Sequence, residues 1–407
     1  MKSIKDLQNI RGKRVLMRVD FNEPIERGKM VDDTRIRAAL PTLELLIKKG
    51  AKVILMTHFG RPTGGKKSVV SSQESGMITV RLGELLKKRV HTTEDWDFEK
   101  IGAVVQKMKT GQVLMLPNLR LHPGEEKNSR AFAEELATLG QLYVNEAFSV
   151  SHRAHASIVG VPKLLPCYAG LRLMEEISIL GKVCKAPERP FVVLMGGGKI
   201  TDKIRMIKSM VRRADAVLVG GALATHFYKA MGYGVGNSHI EPEGVLLAKK
   251  LFGNKKIILP RDVVVGKEDG SGARVVGISA KGKERRAKSE GPYAICSKPF
   301  GIWDIGPKTI LEYARYIKSA RTLVWNGPMG RYEVKQYSHG TLALGRLFAS
   351  RSKGKAFGVI GGGETIDAME KTGLSEYVDF ISTGGGAMIA YLGGEKLPGI
   401  EALYGAK

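Results

Sequence analysis

Arginine recurs in one kind of setting through the first half of the chain: Arg35 in "DDTRIRAAL", Arg61 in "HFGRP", Arg120 in "PNLRLHPGEE" and Arg153 in "FSVSHRAHAS". A guanidinium is planar, stays ionised and grips carboxylate or phosphate oxygens two at a time. Four of them brought together would hold a small, multiply charged anion, whereas any one alone would read as a surface ion pair. Four of the eight histidines, His58, His122, His152 and His155, fall in the same segments, and "DFNEP", with Asp20 and Asn22, precedes them after an apolar run. Their imidazoles can donate to the same oxygens. No His-x-x-x-His accompanied by a carboxylate occurs among them, so the pattern does not point to zinc.

The second half carries glycine instead. "FVVLMGGGKITDKI" runs an apolar stretch into Gly196, Gly197 and Gly198, followed by Lys199 and Lys203. "GGALATHF" brings Gly220 and Gly221, "GGGET" brings Gly361 to Thr365, and "STGGGAM" brings Gly384, Gly385 and Gly386. Glycine lets backbone amides approach phosphate oxygens closely, and a helix starting after the loop adds the positive end of its dipole. Several such loops on one edge suggest a nucleotide. Lys199 and Lys203, four apart, share a face if a helix starts at the loop. Neither G-x-x-x-x-G-K-[ST] nor a clean G-x-G-x-x-G with a downstream acid is present. Glu364 is the acid assigned to magnesium, which takes one or two carboxylates and lets phosphates and water complete its shell. A helix N-terminal acid favoured by the dipole is the plain alternative.

Both sets of residues must be positioned by something, and the chain supplies a repeated rhythm of short apolar run, polar or glycine loop, and helical periodicity. The strands expected are 14–19, 52–57, 112–116 and 142–147 in the first half, then 191–195, 216–220, 256–260, 322–326, 357–361 and 379–383. Continuously apolar strands imply sheets covered on both faces, hence an α/β protein of two doubly wound, parallel-sheet, Rossmann-like domains. Open parallel sheets hold ligands beyond the carboxyl ends of their strands, where the arginines and glycines fall. The stretch 169–190 has helical spacing at Leu171, Met174, Ile177 and Leu180 and reads as a connecting hinge helix. The expected domains are therefore 1–170 and 171–392.

Composition sets the frame. A chain of 407 residues, 43% hydrophobic and 26% charged, can bury two cores. Cys167, Cys184 and Cys296 have no paired spacing, no apolar run approaches a membrane span, and the N-terminus lacks a signal-like apolar core, so a cytoplasmic location is expected. The net charge of +25 suits anionic substrates and also raises nucleic-acid adhesion, with "AKGKERRAK" (280–288) as the densest cluster, read as a solvated loop.

Nine segments, "RVLMRVDFNEP", "HFGRP", "NLRLHPGEEKN", "HRAHAS", "GGGKITDKI", "DIGPKTI", "WNGPMGRYE", "GGGET" and "STGGGAMIAYLGGEKLPGIEAL", resemble in order the phosphoglycerate kinase family. The resemblance spans nearly the whole chain. It implies reversible phosphoryl transfer between 1,3-bisphosphoglycerate and Mg-ADP, giving 3-phosphoglycerate and ATP, in a monomeric enzyme with Mg2+ as cofactor and small molecules as partners. It also implies that Asp20, Asn22, Arg35, His58, Arg61, Arg120 and Arg153 hold the glycerate ligand. Lys203, Asn326, Pro328, Glu333 and Gly361, Gly362, Gly363, Glu364 and Thr365 would hold the nucleotide, and Arg35 and Lys199 would stabilise the phosphoryl group in transit. The tail 393–407 would pack back on the first domain.

The sequence departs from the family pattern in places: Glu364 stands where an aspartate is usual, "GGALATHF" replaces a more usual "GGGMAFTF", Pro117 replaces a common glutamate, and residues 63–80 follow no family pattern. Two other readings compete. A dinucleotide-dependent oxidoreductase shares the fold class but lacks use for the arginines and wants a fingerprint acid. An RNA-binding protein would exploit the positive charge.

Overall fold

The apolar runs fold as strands whose residues are almost all buried, as at Phe191–Met195 and Thr322–Asn326, where every position is inaccessible. The computed structural model describes residues 1–26, 28–60, 67–198, 200–278 and 294–405. Within them the chain divides into two compact units, Met1–Ser178 with Lys396–Lys407, and Ile179–Glu395. The division falls inside the helix Leu171–Lys185. All ten expected strands are present.

In the first unit six strands form one sheet in the spatial order Val90–Thr92, Val113–Met115, Lys52–Met56, Arg14–Arg18, Leu142–Asn145, Cys167–Ala169. Every neighbouring pair is parallel. The order reverses at Arg14–Arg18, so the loops after this strand and after Leu142–Asn145 diverge and leave a crevice between them. The helices Thr34–Lys48 and Lys67–Leu86 contribute Ile36, Leu43, Leu46, Ile78 and Leu82 to a core that also contains Val15, Met17, Val53 and Leu55.

The second unit repeats the design. Its six parallel strands lie in the order Ile257–Ile258, Ala216–Val219, Phe191–Met195, Thr322–Asn326, Phe357–Gly361, Phe380–Ser382. Numbered by sequence this is 3-2-1-4-5-6, the order of dinucleotide-binding folds, and the switch point lies between Phe191–Met195 and Thr322–Asn326. Trp325, Tyr313, Leu344 and Phe348 fill the core beside it.

A three-stranded antiparallel sheet, Arg274–Gly277, Asp262–Gly266 and Gly301–Ile305, was not expected from the sequence. The two short edge strands Val90–Thr92 and Cys167–Ala169 were not expected either, because His91 breaks one apolar run and Pro166 the other. No helix among the described residues is long and apolar enough to cross a membrane.

Candidate functional site

At the crevice of the first sheet, Asp20, Asn22, Arg35, His58 and Arg120 come together. The amide nitrogen of Asn22 donates to Asp20 Oδ1 at 3.1 Å, and the Ser149 hydroxyl donates to Asp20 Oδ2. Asn22 Oδ1 accepts from the Gly60 amide at 2.7 Å, and the carbonyl of Gly60 accepts from the Arg120 guanidinium. The Arg35 guanidinium donates to the Asn22 carbonyl and stands 3.9 Å from Asp20. Loops after four different strands are thus tied into one polar surface.

The electrostatics show where the positive charge converges. Burial holds the His58 imidazole well below its ordinary value, and Arg18, Arg120 and Arg153 push it the same way against Asp20. His155 is brought down to about 4 by burial and then by Arg18, Arg153 and Arg120. Two imidazoles therefore feel the same three guanidinium groups and are neutral at pH 7. Burial alone would raise Asp20; a charge on His58, Arg35 and the donors of Ser149 and Asn22 take it down to about 2 instead. Because His58 is itself neutral at pH 7, Arg35 and the two donors keep Asp20 ionised there.

Arg18 was missed by the sequence reading, which took it as part of an apolar strand. It is 1% exposed; its Nε donates to Ser157 Oγ at 2.9 Å and its Nη2 lies 3.1 Å from His58 Nδ1. Ser157 in turn donates from its hydroxyl and its amide to the buried carboxylate of Glu125, at 2.6 and 3.0 Å. The signal available was a charge inside a run of otherwise apolar strand residues. His122 does not join the polar surface. Its ring stacks on Phe132 with centroids 3.7 Å apart and its Nδ1 accepts from the Gly124 amide. His152 lies 3.3 Å from Arg153 Nε. Arg61 lies outside the described residues.

In the second unit a cavity of about 460 Å³ opens at the switch point, a volume in the range of small-molecule sites. Gly197, Gly198, Gly221, Pro328, Glu333 and Glu364 line it. The loops meet through backbone bonds: the Gly197 amide donates to the Pro328 carbonyl at 2.8 Å and the Gly221 amide to Met329 at 2.8 Å. Only glycine permits this approach at Gly196, where an added Cβ would fall 1.9 Å from the Pro328 oxygen. At Gly197 φ is +76°, and a Cβ would lie 2.5 Å from Lys203 Nζ and 3.1 Å from Glu364 Oε2.

Behind the lining stand Lys203, Asn326 and Thr365. Lys203 is 6% exposed and donates to the Gly196 carbonyl at 2.6 Å. Asn326 donates to the Gly361 carbonyl at 2.8 Å, and the Thr365 hydroxyl accepts from the Gly327 amide at 2.6 Å. Gly362 (φ +93°) caps the helix Gly363–Glu370, whose first turn holds Glu364. Gly220 sits against Met329, and Gly361 against Met388. Gly384 donates to Ser382 Oγ at 3.1 Å and Gly385 (φ +49°) leads into the helix Gly386–Leu392, outside the cavity lining. Lys199 and the cluster 280–288 lie outside the described residues.

The far end of the cavity is built by residues the sequence reading missed: Asn237, His239, Glu268, Ile302, Trp303 and Arg331. Trp303 Nε1 donates to the Gly266 carbonyl at 2.9 Å, Arg331 lies over its ring, and Arg331 pairs with Glu268 at 2.8 Å. Glu268 and Trp303 belong to the unexpected antiparallel sheet or its turn, so no strand-end rule could have found them.

Glu364 shares the cavity lining with Glu333 and Glu268 and is the carboxylate set against the Gly197 loop; among the described residues no group of three or more His, Cys, Asp or Glu side chains could hold a metal. A carboxylate at the mouth of a glycine loop fits magnesium, which borrows the rest of its ligands from phosphate and water.

A family model described as PGK: Phosphoglycerate kinase matches residues 4–395. A curated relative named phosphoglycerate kinase from Moorella thermoacetica is 43% identical over 98% of this chain and 98% of its own. Another of that name from Pelotomaculum thermopropionicum is 41% identical over 99% of this chain and 98% of its own. Among solved structures, phosphoglycerate kinase from Coxiella burnetii superposes with a TM-score of 0.80 at 32% identity, covering 99% of this chain and 98% of that one. The phosphoglycerate kinase structure from Pyrococcus horikoshii OT3 gives 0.82 at 31% identity with the same coverage.

Proposed function

Since the chain belongs to the phosphoglycerate kinase family and is a phosphotransferase of that kind, we propose that its two sheet edges divide the ligands of the reaction between them. The guanidinium-lined surface of the first unit takes the glycerate ligand, through Asp20, Asn22, Arg35, His58, Arg61, Arg120 and Arg153. The glycine-lined cavity of the second takes the nucleotide, through Lys203, Gly220, Gly221, Asn326, Pro328, Glu333 and Gly361 to Thr365, with Gly384, Gly385 and Gly386 serving the transferring phosphate. The observation that carries this division is the convergence of Arg18, Arg120 and Arg153 on His58 and His155 in one unit, against amide-rich loops at the switch point of the other. The oxidoreductase and RNA-binding readings find no support in the family relationships.

Transfer from 1,3-bisphosphoglycerate forms a bond from a terminal ADP oxygen to phosphorus and breaks the bond from phosphorus to the acyl oxygen, which leaves as a carboxylate. Neither group needs a proton removed at pH 7, so no nucleophile and base pair is required. What the protein supplies is fixed positive charge and orientation. Arg35 and Lys199 are assigned to the equatorial oxygens of the phosphoryl group. Glu364 is assigned to Mg2+, which when bound would neutralise nucleotide phosphate charge. Donor and acceptor must come into line with water excluded, so we assign hinge roles to the helix Leu171–Lys185 and the tail 393–407. The protein is assigned to the cytoplasm as a monomer.

Arg35→Ala tests the core of the assignment. Turnover in a coupled assay with ATP and 3-phosphoglycerate is expected to fall by about a hundredfold or more, with the circular dichroism spectrum unchanged. Near-normal turnover would remove Arg35 from the mechanism.

A further inference from the structure

Glu23 follows the polar strand end Asp20–Asn22 and is only 6% exposed. Its Oε1 accepts from two backbone amides at once, Arg35 at 2.7 Å and Ile36 at 2.9 Å. These belong to the first turn of the helix Thr34–Lys48, whose amides have no partner within the helix. Asp33, the residue placed to cap that turn, makes no capping bond and is paired with Arg37 and Arg81 at 2.7 and 2.8 Å. The cap is therefore delivered from the loop after the strand Arg14–Arg18. The other end of Arg35 is tied to the same loop, its guanidinium donating to the Asn22 carbonyl and standing 3.9 Å from Asp20. Glu23 Oε2, by contrast, is buried with no hydrogen-bond partner among the described residues. A carboxyl with one oxygen doubly engaged and the other dry is poor structural economy unless its position serves something else.

We propose that Glu23 is a positioning residue for Arg35, clamping the first helical turn to the strand-end loop so that the guanidinium is held in place for the phosphoryl group. The inference rests on the assignment of Arg35 made above. The clamp is also a titrating one. Burial pushes the Glu23 carboxyl up to about 7, with Asp32 acting in the same direction and the Ile36 and Arg35 amides and the Arg35 charge opposing. The ionised carboxylate accepts the two amide bonds more strongly than the neutral acid. The clamp tightens as pH rises through neutrality, and turnover gains a rising limb there.

Three variants assayed for kcat and KM across pH 5.5 to 8.5, with circular dichroism on each, test the proposal. Glu23→Gln keeps an acceptor oxygen and cannot ionise; its kcat is expected to lose the limb near pH 7. Glu23→Ala is expected to lose about ten-fold in kcat with the nucleotide KM unchanged, as a mispositioned group does. A Glu23→Gln enzyme that retains the wild-type limb, or a Glu23→Ala enzyme with wild-type kcat, overturns the proposal. Arg35→Ala separates the two levels: if it keeps turnover the Arg35 assignment fails, and if it loses turnover while Glu23→Ala does not, the Glu23 inference alone fails.

Discussion

Among individual residues, the histidines report on the first site most directly. His58 and His155 are kept neutral by burial and by the same three guanidinium groups. A bound polyanion would cancel part of that field and make protonation easier at both rings. Adding 3-phosphoglycerate should therefore move both imidazoles upward in an NMR titration of the histidine ring protons, while His122, stacked on Phe132, stays where it is. No movement at His58 and His155 would mean that the arginines do not surround the ligand. Asp20 acts in the opposite sense on stability. Its carboxyl titrates at about 2, below its ordinary value, so its contribution is present above about pH 4 and is lost as pH falls through 2.

At the scale of elements, the glycine loop after Phe191–Met195 makes the sharpest demand. Gly197→Ala places a methyl group against Lys203 and Glu364 on a backbone with φ +76°. That conformation costs an alanine about 1 to 2 kcal/mol, and relief requires the loop to leave the cavity wall. The nucleotide KM is expected to rise about ten-fold with glycerate affinity unchanged; an unaltered nucleotide KM would show that the loop does not touch the nucleotide. The parallel strands were legible because continuous apolar runs survive without tertiary context. The helix Leu171–Lys185 was legible as a helix but not in its buried face. Of the apolar spacing Leu171, Met174, Ile177 and Leu180 only Leu180 is fully buried, and it is joined by Leu173, Glu176 and Val183. Glu176 lies on that face because Arg172 pairs with it at 3.0 Å, and an apolar count cannot anticipate a buried ion pair.

For the molecule as a whole, strand-end logic located Arg120 and the glycine loops because they follow strands of a parallel sheet, while Arg35 comes from the start of the helix Thr34–Lys48. It could not reach Glu268 and Trp303, which arrive from an antiparallel insertion, nor Arg18 and Glu23, whose roles arise from burial. The proposed function is one division of labour: guanidinium groups for the glycerate ligand in one unit, backbone amides and Lys203 for the nucleotide in the other. Titration calorimetry of Arg120→Ala with 3-phosphoglycerate and, separately, with ADP tests that division most directly. Binding of 3-phosphoglycerate should weaken by about a hundredfold, the loss expected for a charged group bonded to an anion, while ADP binds as it does to the unaltered protein. Equal weakening of both ligands, or undiminished binding of 3-phosphoglycerate, would contradict it.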